Sequence, residues 1–342
     1  MKKKLGLFNS ILYWINLLVV FLLLVSFALP FIPPKSFPTI SLLSLVVYPL
    51  IILNLLFVIY WLYKLKLKIV YSLVVLIIAH FHFGSFFQIS SEEIPSETKN
   101  SLSVLSYNVH LFNAYEKEPQ PIVVAATFSD ILTSQTPDVI CIQEYYAKNE
   151  VDFSEYPYQF INFRGNVDLG HAIFSKYPLA NKGSFDFKNS NNNAIYADVV
   201  KGKDTIRVYN LHLQSLGITP SISSLQEEDQ ERFRKRTSYA FMKQQEQVED
   251  ILAHKESSLY PVVLCGDFNN TPFSYVYHQL SNNLNDAFVE KGNGIGTTYL
   301  FDSFPTRIDY VLASEELKIV KFENIKNTFS DHYPVSAKVV WE

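Results

Sequence analysis

The sequence predicts an α/β domain preceded by transmembrane α-helices, and the uneven distribution of charge is the first reason. Residues 1–91 of the 342 contain seven lysines and no Arg, Asp or Glu, whereas the remainder contains 22 basic and 33 acidic residues. A soluble surface needs charges of both signs, so the first part does not fit a soluble domain. The acidic second part lacks the basic field on which most nucleic-acid binders depend, which makes nucleic acid the less favoured partner.

Three apolar runs make up the N-terminal part, at about residues 11–31, 40–63 and 69–87. Each is close to the ~20 residues that a helix needs to cross ~30 Å of hydrocarbon. They predict a three-helix transmembrane region over residues 1–90, followed by a polar linker over residues 91–100. A cleaved signal peptide is the alternative for the first run, but this run is longer than the roughly 7–15-residue core of such a peptide.

The lysines predict the side of the membrane on which the rest of the chain lies. Three lysines precede the first run, and Lys64, Lys66 and Lys68 follow the second. The exit from the third run is acidic, with Glu92 and Glu93. Because short positive loops stay in the cytoplasm, we expect a multi-pass protein of the cytoplasmic (inner) membrane with its N-terminus inside. Residues 101–342 are then extracytoplasmic, and the lipid bilayer is a partner.

Short β-rich runs alternate with helical stretches after the linker. The predicted strands are Leu102–Tyr107, Val139–Ile142, His171–Phe174, Ala194–Val200, Thr205–Leu213, Pro261–Leu264, Arg307–Leu312 and Val335–Trp341. The predicted helices are Pro121–Gln135 and Ser223–His254. One continuous pattern of this kind predicts a single α/β domain over residues 101–342. Cys141 and Cys265 lie in apolar strands, and we expect free buried thiols, although an extracytoplasmic location permits a disulfide.

Acidic, amide and imidazole side chains stand at the predicted strand ends, where α/β proteins place their chemistry. They are Asn108, Glu144, His212, Asp267, Asn269, Asp309, Asp331 and His332. Each of them alone is compatible with an ordinary turn or strand end. As a set they can hold a hard divalent cation through carboxylate and amide oxygens, and they leave two imidazoles for phosphate charge and proton transfer.

Seven segments around these residues resemble the endonuclease/exonuclease/phosphatase superfamily. This group contains pancreatic-type DNases, abasic-site endonucleases, inositol-polyphosphate 5-phosphatases and neutral sphingomyelinases. The segments are Ser106–Val109, Ile142–Glu144, Ala172–Pro178, Asn210–Gln214, Gly266–Asn269, Arg307–Val311 and Ser330–Val335. They extend over the whole predicted α/β domain, whereas the N-terminal region has no counterpart in the soluble members.

The resemblance implies a four-layered α/β sandwich with two mixed β-sheets, and a Mg²⁺-dependent attack of water on a phosphate ester. Mn²⁺ is the expected substitute for Mg²⁺. Carried over residue by residue, the resemblance implies that Glu144 is the principal metal ligand, helped by Asn108 and by Asp331. Such a set is physically sensible because Mg²⁺ accepts few carboxylates and keeps several waters.

The resemblance also implies catalytic roles for five residues. Asp267 would orient or deprotonate the attacking water, and Asn269 would hold the scissile phosphate. His332, paired with Asp309, and His212 would stabilise the pentacovalent charge and manage protons. A carboxylate partner raises the pKa of a histidine and fixes its tautomer, which fits the pairing.

Three further features carry weaker expectations. His110 stands where many nuclease members have Asn or Asp, so we expect it to be a secondary site residue. Lys176 is expected to be structural. The segment Gly217–Arg236 is the best place for substrate specificity, although a solvated helix with an acidic first turn is the favoured interpretation.

Three functions fit these observations. The favoured one is a membrane-anchored, metal-dependent phosphoesterase that hydrolyses a phosphodiester, such as a lipid head group, outside the cytoplasmic membrane. The second is a metal-dependent endonuclease or exonuclease that acts on extracytoplasmic nucleic acid. The third is a catalytically inactive membrane-bound binding module, against which the intact set of Glu144, Asp267, Asn269 and His332 argues.

Overall fold

A computed structural model describes residues 6–84, 86–90, 100–165, 167–219, 221–302 and 304–342. The three N-terminal lysines, Glu92, Glu93 and all of the predicted linker except Asn100 lie outside the described residues. The α-helices are α1 Leu7–Ser26, α2 Val47–Tyr63, α3 Ile69–Phe83, α4 Pro121–Gln135, α5 Ile222–Glu227, α6 Gln230–Glu256, α7 Tyr275–Ser281 and α8 Ala287–Lys291. Short 3₁₀ helices cover Leu29–Phe31, Pro38–Val46 and His110–Asn113.

Two large sheets form the body of the C-terminal domain. The strands are β1 Gln88–Ile89, β2 Ser101–Asn108, β3 Val139–Tyr146, β4 Tyr158–Phe163, β5 Leu169–Ser175, β6 Leu179–Ser184, β7 Ala194–Lys201, β8 Asp204–His212, β9 Val262–Asp267, β10 Leu284–Asp286, β11 Asn293–Gly294, β12 Tyr299–Phe301, β13 Phe304–Thr306, β14 Asp309–Ser314, β15 Lys318–Asn324 and β16 Val335–Val340. One six-stranded sheet has the order β15-β16-β2-β3-β5-β4, and the other has the order β10-β14-β9-β8-β7-β6. Each sheet is mixed, because β2–β3 and β8–β9 are parallel and their neighbours are antiparallel.

The two sheets pack face to face with helices on the outside. Val104 and Cys141 from one sheet meet Val208 and Cys265 from the other in a common apolar core. Helix α4 covers the outer face of the first sheet, and helices α6 and α7 cover the outer face of the second. This order of layers confirms the four-layered α/β sandwich. Both cysteines are buried free thiols, as predicted.

The prediction of one long helix over Ser223–His254 is wrong near its start. The chain forms two helices, α5 and α6, with a break at Glu228 and Asp229. The break arises because the Asp229 side chain caps α6 by accepting a bond from the Arg232 N–H at 2.8 Å. An Asp in this position satisfies a free helix N–H group and starts a new helix.

The residues 7–83 form three packed helices, called here the N-terminal helical unit. Two of its segments, Leu7–Phe31 and Pro38–Tyr63, are long and apolar enough to cross a membrane. The third prediction needs correction, because α3 has only 15 residues and ends at Phe83 instead of about residue 87. Gly84, with φ of +54°, follows the helix, and β1 then pairs with β11 of the C-terminal domain.

Polar bonds join the three helices to one another. The Asn16 side chain donates to Ser72 Oγ at 2.6 Å and accepts from Trp61 Nε1 at 2.9 Å. All three side chains are buried. Such bonds between helices are typical of helices in apolar surroundings, where a polar group has no water as an alternative partner.

The helical unit also packs on the C-terminal domain. Leu42 and Leu45 of its Pro38–Val46 segment contact a cluster formed by Leu216, Ala240 and Phe241. An ion pair at 2.7 Å joins Lys35 Nζ to the Glu249 carboxylate on α6. The unit is therefore attached to the same face of the domain that α6 covers.

Candidate active site

Register brings the predicted site residues to one end of the sandwich. In the first sheet, Asn108 at the end of β2 lies beside Gln143, the neighbour of Glu144 in β3. In the second sheet, His212 at the end of β8 lies beside Asp267 at the end of β9, and Asp267 lies beside Asp309 at the start of β14. Because parallel strands end at the same edge, carboxylates from both sheets face one another there.

Glu144 sits in an unusual backbone conformation. Its φ is +54°, and the pairing of β3 with β5 is irregular between Ile142 and Tyr145. A bulge of this kind redirects a side chain and is common next to active sites. Glu144 Oε1 is 3.4 Å from Asn108 Nδ2 and 3.8 Å from His212 Nε2. Burial raises the pKa of Glu144, and His332 and His110 partly offset this.

Asp267 lies at the centre of the cluster and is 1% exposed. Its carboxylate accepts bonds from Asn108 Nδ2 at 3.0 Å, the Asn269 N–H at 2.7 Å and Asn269 Nδ2 at 3.2 Å. Two imidazole nitrogens approach it, His212 Nε2 at 3.6 Å and His332 Nε2 at 3.7 Å. Burial raises the pKa of Asp267 to about 7 despite the nearby His332.

His332 and Asp309 form the predicted pair. His332 Nδ1 is 3.0 Å from Asp309 Oδ2 and 3.2 Å from Oδ1, which leaves Nε2 turned toward Asp267. Burial alone lowers the pKa of His332, but the carboxylates of Asp309 and Asp267 outweigh it and raise the pKa to about 10. His332 is therefore an imidazolium at neutral pH.

His212 is in the opposite charge state. Burial, together with the neighbouring His171 and His332, holds the pKa of His212 well below its usual range. The Asn192 amide donates to His212 Nε2 at 2.7 Å, and its own carbonyl accepts from the Ser215 N–H at 3.2 Å. The second bond fixes the orientation of the amide, so Nε2 is an acceptor and the ring proton is on Nδ1.

The balance of charge in this cluster indicates whether a metal ion would fit the site. The carboxyl groups of Glu144, Asp267 and Asp309 lie around the imidazolium of His332, and burial raises the pKa of both Glu144 and Asp267. A divalent cation with hard oxygen ligands would relieve this imbalance, so the residues fit Mg²⁺. Oxygen and nitrogen atoms of Asp267, Asp309 and His332 also lie within 4.8 Å of one another.

The predicted ligands Asn108, Glu144 and Asp331 are only partly brought together. Asn108 and Glu144 are in contact, but Asn108 turns its NH₂ group toward Glu144 while its carbonyl accepts from the His110 N–H at 3.1 Å. Asp331 is exposed, 3.6 Å from His110 Nδ1, and close enough for its charge to raise the pKa of Glu144. Coordination through the Asn108 carbonyl would therefore require the amide to turn over.

A cavity of about 1130 Å³ opens beside this cluster. Glu144, His171 and His212 line one part of it, and Leu216 and Tyr239 line another. Its volume slightly exceeds the usual upper range of small-molecule sites, ~1000 Å³. The cavity provides room for a substrate directly next to the reactive residues.

A model of the Endonuclease/Exonuclease/phosphatase family matches residues 105–332, about two thirds of the chain. The chain belongs to this family. Members of the endonuclease/exonuclease/phosphatase family are hydrolases that act on phosphoesters. A model of a domain of unknown function (DUF8431) matches residues 9–86, which lie in the N-terminal region. The comparison with curated proteins finds no match.

Solved structures of low identity share the fold. The endonuclease/exonuclease/phosphatase from Bacteroides vulgatus is 14% identical over 71% of this chain and 99% of its own, with a TM-score of 0.55. TDP2 from D. rerio, complexed with a single-strand DNA product, is 15% identical over 70% and 98%, with a TM-score of 0.53. The human Nocturnin catalytic domain, with a bound sulfate anion, is 17% identical over 72% and 96%, with a TM-score of 0.52.

Family motifs alone did not identify several residues that shape this site. Asn192, which fixes the His212 tautomer, belongs to a polar run, Ser190–Asn193, that reads as an ordinary loop. His171, whose ring centroid is 5.5 Å from that of His212, stands one residue before a motif segment. Asn210 lies within a motif, and its amide donates to the carbonyls of Ile142 and Ala172 in the opposite sheet.

The three features with weaker expectations, His110, Lys176 and the segment Gly217–Arg236, lie in different parts of the domain. His110 lies at the edge of the site beside Asp331. Lys176 lies over the ring of Tyr156, at the opposite end of β5 from His171, in keeping with a structural role. Arg236 lines the cavity, but its guanidinium is held by the Glu228 carboxylate.

Proposed function

We propose that this protein is a membrane-anchored, Mg²⁺-dependent phosphodiesterase that acts outside the cytoplasmic membrane, with a lipid head-group phosphodiester as substrate. One observation carries the chemistry: buried Asp267 lies between a charged His332 and a neutral His212, next to Glu144 and a cavity. Paired groups with opposed protonation states are the usual arrangement for acid–base catalysis.

The residues divide the reaction as follows. Glu144 would hold Mg²⁺, together with Asn108 once its amide has turned over, and the cation would supply Lewis-acid stabilisation of charge on the phosphate. Asp267 accepts the proton of the attacking water, because its pKa of about 7 suits a base near neutral pH. The Asn269 N–H and side chain keep that carboxylate in place. The His332 imidazolium donates from Nε2 to the phosphate oxygens or to the leaving group.

The position of the cavity supports a lipid substrate. The cavity runs from Glu144 and His212 to Leu216 and Ala240. These last two residues belong to the cluster that also holds Leu42 and Leu45 of the N-terminal helical unit. A substrate whose acyl chains stay in the bilayer would therefore meet this side of the cavity first.

A nuclease is the second candidate. TDP2 from D. rerio was solved with a single-strand DNA product, and it shares this fold. Arg164 and Arg236 line the cavity here, but Arg236 is already paired with Glu228. The 11 excess carboxylates of residues 92–342 oppose a polyanion, so the lipid remains the favoured substrate.

A substrate panel tests the proposed function. The full chain in detergent micelles would be given bis-p-nitrophenyl phosphate, mixed micelles of several phospholipids, sphingomyelin and plasmid DNA, each with Mg²⁺. We expect hydrolysis of the soluble diester and of at least one lipid, and roughly a thousandfold lower kcat for Asp267→Asn, which keeps the shape but loses the base. DNA as the only substrate would favour the nuclease, and no hydrolysis at all would favour the inactive module.

The extracytoplasmic orientation has a separate test. The lysine-rich turn at Lys64–Lys68 follows one end of α2, and the segment that packs on the C-terminal domain precedes the other end. If the turn is cytoplasmic, as short positive loops are, the domain would be outside, which supports the proposed orientation. An alkaline phosphatase fused after Glu342 should be active, because this enzyme needs an oxidising compartment. An inactive fusion that is fully expressed would contradict the orientation.

A further inference from the structure

The N-terminal helical unit touches the chain directly behind the candidate catalytic carboxylate. The segment of residues 267–271, called here the catalytic loop, leaves β9 at Asp267. Thr271 Oγ1 donates to the Ser44 carbonyl at 2.9 Å, and Ser44 Oγ is 3.4 Å from Asn270 Oδ1. Ser44, Asn270 and Thr271 are each no more than 2% exposed. The contact is thus a buried polar one, and it is not a surface tether.

A short chain of hydrogen bonds connects this contact to Asp267. The Asn270 amide donates to Gln244 Oε1 at 2.8 Å, and the Gln244 amide donates to the Asn269 carbonyl at 3.2 Å. Asn269 in turn donates its N–H to Asp267 Oδ1 at 2.7 Å. Gln244 is fully buried. Satisfied buried networks of this kind hold their members in one arrangement.

Apolar packing against the helical unit lies just beyond the loop. Phe273 has no exposed surface, and its ring lies 4.8 Å from that of Tyr48 and 4.7 Å from that of Phe83. Tyr48 and Phe83 both belong to the helical unit. Phe273 therefore packs in the apolar core of that unit, and not in any of the three apolar cores of the sandwich.

Two residues close to Asp267 have a positive φ. Gly266, just before Asp267, has φ of +135°, and a Cβ there would lie 1.9 Å from the Leu211 carbonyl oxygen. Asn269, two residues after Asp267, has φ of +50°. Non-glycine residues in this region persist only where the surroundings determine their conformation. An anchor alone would require none of these contacts.

We propose that the N-terminal helical unit is a structural part of the active site, because Ser44 and Tyr48 hold the catalytic loop in the conformation that presents Asp267 and Asn269. Ser44, Tyr48 and Thr271 are positioning residues. This inference rests on the proposed phosphodiesterase function. It also gives the helical unit a purpose that a single anchoring span would not serve.

Conservative variants of Thr271 test the inference from the side of the loop. Thr271→Val keeps the shape and removes the bond to Ser44, whereas Thr271→Ser keeps the hydroxyl. In the full chain in micelles, with bis-p-nitrophenyl phosphate as a soluble substrate, we expect Thr271→Val to lower kcat roughly fivefold with KM changed by less than about twofold. Thr271→Ser should restore most of the loss. If Thr271→Val, assayed below its melting temperature, has the same kcat as the wild type, the inference is overturned.

Variants of Tyr48 test it from the side of the helical unit. Tyr48→Phe keeps the ring that packs on Phe273 and is therefore the matched control for Tyr48→Ala, which removes that ring. We expect Tyr48→Ala to lower kcat at least as much as Thr271→Val, and Tyr48→Phe to leave it unchanged. Lys35→Met breaks the ion pair with Glu249 outside the loop and should also leave kcat unchanged.

The outcomes separate the two proposals. If Lys35→Met lowers kcat as much as Thr271→Val and Tyr48→Ala do, then any weakening of the contact between the helical unit and the C-terminal domain lowers kcat. That result would overturn the specific role of the catalytic loop. If the wild type is active and Tyr48→Ala has the same kcat, the positioning role is also overturned, while the proposed phosphodiesterase function stands. Inactive wild type on every substrate of the panel would contradict the proposed function itself, and the inference with it.

Discussion

Replacing Glu144 by Gln is expected to abolish phosphodiester hydrolysis, with kcat reduced roughly a thousandfold. The change keeps the side-chain shape, so the bulge that places residue 144 in the site and the fold around it should survive. It removes the negative charge that faces Asn108 and His212 at the mouth of the cavity. If Glu144 is the principal Mg²⁺ ligand, its amide replacement binds the cation far more weakly.

Metal binding gives this prediction a measurement besides activity. A cation that binds the folded chain raises the melting temperature as its concentration increases. We expect Mg²⁺ to stabilise the wild type in this way and to have little effect on Glu144→Gln. Asp331→Asn is the control, because Asp331 lies at the exposed edge of the site beside His110, and it should lose less of both activity and metal stabilisation. Activity of Glu144→Gln within about tenfold of the wild type would contradict its role as principal ligand.

The sequence predicted the centre of the fold better than its edges. Helix α4 has the bounds expected from Pro121 at its first turn, and all eight predicted strands are present. The edge strands β4, β6 and β15 were missed, because their burial alternates weakly and their residues are mostly exposed or half-exposed. Edge strands are positioned by pairing with a neighbour, and a short sequence window does not contain that neighbour.

The site was predictable to the extent that its residues stand at strand ends. Asn108, His212, Asp267 and Asp309 converge because their strands end, or begin, at one edge of the sandwich. The role of Asn192 was not predictable, since it reaches His212 from a loop that lies 20 positions earlier and has the composition of an ordinary turn. Equally, no local pattern indicates that Ser44 meets Thr271, because 227 positions separate the two residues.

The two histidines of the site have different tasks because their surroundings differ. Both are buried, which by itself lowers the pKa of an imidazole. His332 gains two carboxylate neighbours, Asp309 and Asp267, and stays charged. His212 also has the Asp267 and Glu144 carboxylates near its Nε2, but that nitrogen accepts from the Asn192 amide. Burial, together with His171 and His332, holds the pKa of His212 well below its usual range, and it stays neutral. His332 is therefore the residue that can supply positive charge and a proton, and His212 is the one that can accept a hydrogen bond.

Replacing His332 by Gln is expected to lower kcat roughly a thousandfold while substrate still binds. Gln fills a similar volume and can donate a hydrogen bond, but it has no positive charge to offer the transition state. The loss should appear in kcat more than in KM, because the charge on the phosphate oxygens increases during the reaction. Steady-state kinetics with bis-p-nitrophenyl phosphate measure both constants. A loss confined to KM would assign His332 to substrate binding and contradict its catalytic role.

Asp309→Asn separates the charge of His332 from its position. The Asn side chain can still contact Nδ1, but the carboxylate that raises the pKa of His332 is gone. A group with a raised pKa is protonated, and active as an acid, only below that pKa. The alkaline limb of the kcat profile should therefore move to lower pH in Asp309→Asn, with a deficit that grows from pH 7 upward. His332→Gln should lack this limb altogether. An alkaline limb that stays in place in Asp309→Asn would mean that a group other than His332 supplies the proton.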